Sequence, residues 1–155
     1  MKMKIFIHSN EKLISAAILV IRVTLGVIMF AHGSQKVLGV FGGKGLDVTV
    51  PMMAKSLGGP DWLPYLSCFT EFLGGIAILF GVFTRFFSIA VLINMLVAVF
   101  AVHIKNGFFA PMGFEFPGSL AMMALAITLA GPGMFSFDQL LFGRDKSGKQ
   151  PAKKL

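Results

Sequence analysis

Charge is scarce in this chain: only 14% of its 155 residues are Asp, Glu, Lys or Arg, where a soluble domain carries about a quarter. That shortage, with 55% hydrophobic residues and a mean hydropathy of +0.80, argues against a disordered, fibrous or nucleic-acid-binding chain. It also argues against an ordinary water-soluble enzyme. Cysteine is nearly absent. The single Cys68 excludes an internal disulfide, a CxxC redox pair and any cysteine-built zinc or iron-sulfur site. No low-complexity tract appears, and no separate soluble domain fits into the length. Spans one and three each end in a histidine followed by a lysine, His32 with Lys36 and His103 with Lys105. The segments after them differ in length, so a duplication is not established.

What is present is apolar sequence in four blocks. A hydrocarbon layer about 30 Å thick needs roughly 20 mainly apolar residues, and the chain has room for four such spans. The first run covers 13–31 and is broken only by Arg22. An arginine in its middle and the lack of a small-residue cleavage site do not suit a secretory signal. The second, 65–83, holds one charge, Glu71, and the third, 86–104, holds Asn94 and His103. The fourth lies between Glu115 and Asp138. The expected fold is all-α, a four-helix transmembrane bundle with a short outer-face or re-entrant helix between spans one and two. Residues 1–12 then form a cytoplasmic N-terminus, 13–143 the four-span membrane domain and 144–155 a basic cytoplasmic tail.

Orientation follows from the cations. With the N-terminus inside, nine Lys and Arg side chains from Lys2 to Lys154 lie on the inner side, against Lys36, Lys44, Lys55 and Lys105 outside. This excess favours cytoplasmic termini, and the tail from Arg144 would meet anionic lipid. Spans two and three are joined almost directly through Thr84 and Arg85, so they must be antiparallel neighbours. The longer first connection has glycines at 39, 42, 43 and 45, then Thr49 as a candidate cap with Pro51 in the first turn, then a stop at Gly58, Gly59 and Pro60. Its helix is too short to span, and it reads either as a lid over the bundle or as a surface linker. Trp62 and Tyr65 beside it suit an interfacial aromatic belt.

Polar groups inside the bilayer carry the functional expectation, because a charge at its centre costs ~2.5–3.5 kcal/mol on the translocon scale and needs a partner or a task. At 100° per residue, Arg22, Gly26, Met29, Gly33 and Lys36 form one stripe of span one. Pro64, Cys68, Glu71, Gly75 and Ile78 form another on span two. Both stripes should face the bundle, with the glycines allowing close backbone approach. Depth arithmetic places Arg22 roughly 6 Å below Glu71, within reach of an ion pair, with Lys36 as a second partner from above. Such a pair could be a structural lock or a ligand and proton site. His32, Lys36, His103 and Glu115 lie near the outer ends of their spans and incline the reading toward function.

The companions have plainer readings too. His32 could be a hydrogen-bonded filler, Glu115 a solvated loop carboxylate and Cys68 a packing residue. On an ideal helix His103 falls opposite the face formed by Ala90, Asn94, Ala98 and Ala101. Asn94 could simply hold helices together. Two histidines and two glutamates match no dedicated metal motif, so no metal site is expected. The ten methionines and seventeen phenylalanines read as core and lipid-facing filler.

In order along the chain stand Arg22, then His32-Gly33 with Lys36, Leu57-Gly58-Gly59-Pro60, Glu71-Phe72-Leu73-Gly74-Gly75, Gly81-Val82-Phe83-Thr84-Arg85, His103, and Gly131-Pro132-Gly133 with Ser136 and Asp138. Each motif is weak alone. Taken together and in order, over roughly 14–143, they resemble the DoxX family of membrane proteins.

The resemblance implies a multi-pass protein of the bacterial inner membrane and a loose oxidoreductase label without a defined reaction. Members are named for terminal-oxidase or thiosulfate:quinone oxidoreductase subunits. Others join sulfurtransferase or superoxide dismutase partners in oxidative-stress defence, and distant eukaryotic relatives act as assembly chaperones. By position, Arg22, Lys36, Glu71 and His103 match the family's recurrent polar residues. The glycine-rich entry to the first connection and the basic tail look specific to this chain, and the absence of a dithiol separates it from four-helix vitamin K epoxide reductases.

Two functions remain open at this point. In the first, a redox accessory admits a quinone or another small apolar molecule between its helices. Arg22, Lys36 and Glu71 bind there, and Glu71 with His32 or His103 exchanges protons. No flavin, haem or iron-sulfur motif is visible, so electrons would come from a protein partner. In the second, a non-catalytic subunit stabilises partner proteins or a homo-oligomer through the Ala90, Asn94, Ala98, Ala101 stripe. The bilayer is the partner common to both, and nucleic acid is expected in neither.

Overall fold

The computed structural model describes residues 10–109 and 111–143, so the basic tail expected over 144–155 and most of the N-terminal segment lie outside the described residues. Among the described residues six α-helices follow in order, with no strand. Helix α1 (Glu11–Val37) begins at Asn10, whose side chain accepts from the amide of Leu13. Helix α2 (Gly45–Leu57) is the short element of the first connection. Helix α3 (Leu63–Phe80) is span two. Helix α4 (Thr84–Val97) runs on as a π-helix over Ala98–His103 and a 3-10 turn over Ile104–Asn106. Helices α5 (Glu115–Ala130) and α6 (Phe137–Phe142) complete the fold.

Among the described residues three helices are long and apolar enough to cross a membrane: Glu11–Val37, Leu63–Phe80 and Thr84–Asn106. The fourth is shorter than the sequence suggested. With 16 residues, α5 is about 24 Å long, because Gly131 takes a φ of 83° and leads into Pro132, which ends the helix. The chain then turns back over the bundle. The exposed surface of the spans is rich in Val, Leu, Ile and Phe, as a lipid-facing surface must be. The core is a mixed aliphatic cluster of Leu25, Met29, Ile78, Val91, Met95 and Leu120 with small alanines.

Helices α1 and α3 pack backbone to backbone. A methyl group on Gly33 would strike the backbone of Phe72, one on Gly75 the backbone of Phe30, and one on Gly26 the backbone of Leu79. Positions fall along α3 as they rise along α1, so the two run antiparallel. The glycines are therefore required by close approach. Helix α4 meets α3 antiparallel as expected, with Val91 against Gly74 and Asn94 against Glu71. It meets α5 through the Ser88 and Thr128 hydroxyls at 2.9 Å.

Helix α2 differs at its start from the sequence expectation. It begins at Gly45, so Thr49 is not its cap but a buried residue of its second turn, and Pro51 lies inside the helix. Its end is as read: Gly58 closes it in the left-handed region with φ 60°. The helix packs against α1, α3 and the π-helical segment of α4.

Candidate functional site

Arg22 and Glu71 are both buried, at 1% and 3% exposure, but they do not pair. The ion pair expected between them is replaced by two separate arrangements at opposite ends of the α1–α3 contact. Arg22 donates from Nε to the carbonyl of Ile78 at 3.0 Å and from Nη2 to that of Leu79 at 3.2 Å. Its Nη1 donates to the carbonyls of Pro132 at 2.7 Å and Phe135 at 2.9 Å. The guanidinium thus sits on the carbonyl end of α3, where the helix dipole favours a cation, and ties it to the 131–135 turn. Gly81 completes the cage: its φ is 73°, and any side chain there would run into the guanidinium. Asp138 works beside it, accepting from the amides of Phe83 at 2.7 Å and Thr84 at 2.8 Å, and so capping α4. All four of these Arg22 hydrogen bonds go to backbone carbonyls and none to Glu71, so the guanidinium clasps α3 to the turn.

Glu71 pairs instead with Lys36, Nζ to Oε1 at 2.5 Å. Asn94 donates to the same oxygen at 3.2 Å. The other oxygen, Oε2, is buried with no hydrogen-bond partner among the described residues. The register explains the change of partner. Gly33 lies opposite Phe72, which puts Glu71 level with residues 33–34 of α1, one turn from Lys36. Arg22 is eleven residues further along, or about 16 Å.

Beside this ion pair lies a cavity of about 640 Å³, within the size range of small-molecule sites. Lys36, Glu71, Asn94 and His103 line it together with Ser67 and Thr70 of α3. Helix α2 supplies one wall through Thr49, Met52, Met53, Ser56 and Leu57, and Ala90, Ile93, Val97 and Ala98 of α4 supply another. The short helix covers the cavity, which favours the lid reading over a surface linker. Behind it the Cys68 thiol is buried against Met53, Sγ to Sδ 3.9 Å, a packing contact.

His103 reaches this cavity because α4 does not keep α-helical winding. The π-helical stretch Ala98–His103 takes up an extra residue per turn, and this turns His103 toward the side that carries Asn94. On an ideal helix the two would lie on opposite faces. Its Nδ1 lies 2.8 Å from the Met112 carbonyl; a carbonyl only accepts, so Nδ1 carries a proton. His32 is placed elsewhere: it is exposed and its ring packs against Phe116 at 5.8 Å between centroids. Glu115 opens α5 and is not among the cavity residues. Among the described residues no three His, Cys, Asp or Glu side chains gather as a metal-binding group.

A family model, DoxX, matches residues 17–104, more than half of the chain and all of Arg22, Lys36, Glu71, Asn94 and His103. The chain belongs to the DoxX family. A curated DoxX-type relative from Bacillus subtilis (strain 168), "Putative oxidoreductase CatD", is 26% identical over 134 residues, covering 86% of this chain and 93% of that protein. No solved structure matches. Some cavity residues of this DoxX protein were not foreseen for that place in the sequence. Ser67 and Thr70 line the cavity without having been singled out, and Thr49 had been read only as a cap; the available signal was that Ser67 stands four residues before Glu71, on its face of the helix.

Proposed function

We propose that this DoxX protein is a subunit of a membrane redox complex and binds a quinone-type ring in the cavity beside Glu71. One observation carries the reading. A largely apolar cavity of small-molecule size contains a buried carboxylate with one oxygen bound twice and the other unpartnered. Pockets of this composition, apolar with a few convergent polar groups, bind small molecules. Leu66, Ile93 and Val97 line the cavity and are also exposed on the apolar surface of α3 and α4, so the site borders the lipid from which such a ring would enter.

Quinone reduction takes up two electrons and two protons. The electrons come from a protein partner; this chain's residues handle binding and protons. Glu71, held at Oε1 by Lys36 and Asn94, exchanges a proton with a ring oxygen, and His103 is the second exchange group. His32, remote from the cavity, and Arg22, committed to its carbonyls, have no part in this reading. The oxidoreductase name of the Bacillus relative agrees with it. The cytoplasmic membrane with both termini inside is the location we assign, from the distribution of Lys and Arg.

The assembly reading is not favoured by the geometry. Three residues of the small stripe on which it relied, Ala90, Asn94 and Ala98, line the cavity and are half-buried, so most of the stripe faces the cavity. The test of function is Glu71→Gln in the intact complex. Quinone-dependent turnover should be lost while the protein remains folded and assembled; retained turnover would eliminate the proton role of Glu71.

A further inference from the structure

We infer that the cavity beside Glu71 receives an uncharged, lipid-soluble carbonyl compound with an alkyl chain, and holds it through its oxygen by Lys36 and Thr49. The inference does not rest on the ring reading above; it follows from which polar groups of the site remain open. Oε2 of Glu71 is sealed within the protein, so it does not face the cavity, and Oε1 is held by Lys36 and Asn94. What a ligand meets first is the set of donors around the carboxylate.

Lys36 lines the cavity and gives one of its three N–H bonds to Glu71; the other two have no acceptor among the described residues, and an ammonium can only donate. Thr49 is 5% exposed and lines the same cavity. Its hydroxyl makes no hydrogen bond among the described residues, yet it is not sealed as Oε2 of Glu71 is, so its opening is the cavity. Ser67 and Thr70, half-buried, add two more hydroxyls without partners. Against these donors stand the side-chain oxygen of Asn94 and the ring of His103, whose Nδ1 proton goes to Met112. A ligand that satisfies the site must chiefly accept.

A carbonyl oxygen accepts with two lone pairs and brings no proton that needs a place. A carboxylate or phosphate would accept as well, but Lys36 already neutralises Glu71, and a further charge inside the bilayer would go uncompensated. An amine cation adds charge and only donates. The remaining wall is apolar, and Leu66, Ile93 and Val97 are also exposed on the lipid-facing surface, so the ligand arrives from the bilayer. The lining runs along α4 from Ala90 to His103, about 20 Å at the α-helical rise. A carbonyl group fills a small part of that length and an alkyl chain the rest.

The experiment uses the full chain in dodecyl maltoside micelles, a detergent without a carbonyl, and three probes of equal chain length: 2-dodecanone, dodecane and dodecylamine. Calorimetry should show saturable binding of the ketone, about tenfold or more tighter than dodecane or dodecylamine, as two hydrogen bonds with one charged donor provide. The infrared carbonyl stretch of the bound ketone should move to lower frequency than in empty micelles. Thr49→Val keeps the side-chain shape without the hydroxyl; it should weaken ketone binding about two- to tenfold, reduce the infrared shift and leave dodecane binding unchanged. Absence of saturable ketone binding, equal affinity for ketone and dodecane, tighter binding of dodecylamine, or an unshifted carbonyl band each overturns the inference. So does an unchanged affinity and band in folded Thr49→Val, and if that variant does not fold, the wild-type comparison alone decides. None of the probes has a ring, so failure here leaves the ring reading to its own test.

Discussion

The two buried charges of this bundle have opposite surroundings. Arg22 makes four hydrogen bonds to carbonyl oxygens from two parts of the chain, and Gly81 leaves no space beside it. Glu71 has one oxygen doubly bound and the other without a partner, next to a cavity of about 640 Å³. Burial of a charge is common to both, so burial alone does not mark function; the state of the remaining hydrogen-bonding capacity does. A saturated charge with no adjoining space fixes helices, and an unsaturated one beside a cavity can meet a ligand.

The contrast predicts a graded series of effects on stability. Arg22→Met should be the most damaging. It strips the donor from the Pro132 and Phe135 carbonyls, at ~1–3 kcal/mol for each buried acceptor left bare, and should lower the thermal midpoint in detergent steeply or abolish folding. Arg22→Lys should not rescue it, because one ammonium cannot span both the α3 end and the 131–135 turn. Gly33→Val and Gly75→Val come next, at about 1–3 kcal/mol each by overpacking, since the obstructing atoms are backbone and cannot move aside. Their midpoints should fall together, and either one left unchanged would show that α1 and α3 are not in backbone contact.

Asp138→Ala should cost about 1 kcal/mol by uncapping α4, with faster hydrogen exchange at the Phe83 and Thr84 amides as its specific sign. Glu71→Gln should have the smallest effect on the fold, within about 1 kcal/mol, as polar contacts between membrane helices usually do. Its loss should appear in ring binding and turnover. If Glu71→Gln unfolds the protein as Arg22→Met does, the distinction between the two ends collapses.

Much of this was legible in the sequence for physical reasons that can be named. The helical wheel needs only a regular 100° step, and it placed Arg22, Gly26, Met29 and Gly33 on the buried face of α1 and Pro64, Cys68, Glu71, Gly75 and Ile78 on that of α3, where the structure has them. Gly58 stopped α2 as a left-handed cap should.

What failed was whatever depended on register or on irregular winding. The depth arithmetic put Arg22 roughly 6 Å below Glu71 and so matched Glu71 to Arg22 in place of Lys36, whereas the offset along the α1–α3 contact is about 16 Å. Nothing local in either helix encodes that offset; it is set by which glycine meets which backbone. His103 was placed on the wrong side for a related reason, since its position depends on six π-helical residues that a uniform wheel does not represent. The fourth span was overestimated because the 131–135 segment reads as apolar, while its carbonyls serve Arg22.

The central claim, that the Glu71 cavity and not the Arg22 end receives a ring ligand, is tested most directly by photolabelling. A photoreactive quinone analogue would be irradiated with the protein in nanodiscs and the modified residues mapped by mass spectrometry. The account predicts labels on cavity residues such as Ser67, Ile93 and His103, removed by excess unlabelled quinone. Labels confined to the outer apolar surface, at residues such as Val20 and Leu129, and unaffected by the competitor would contradict it.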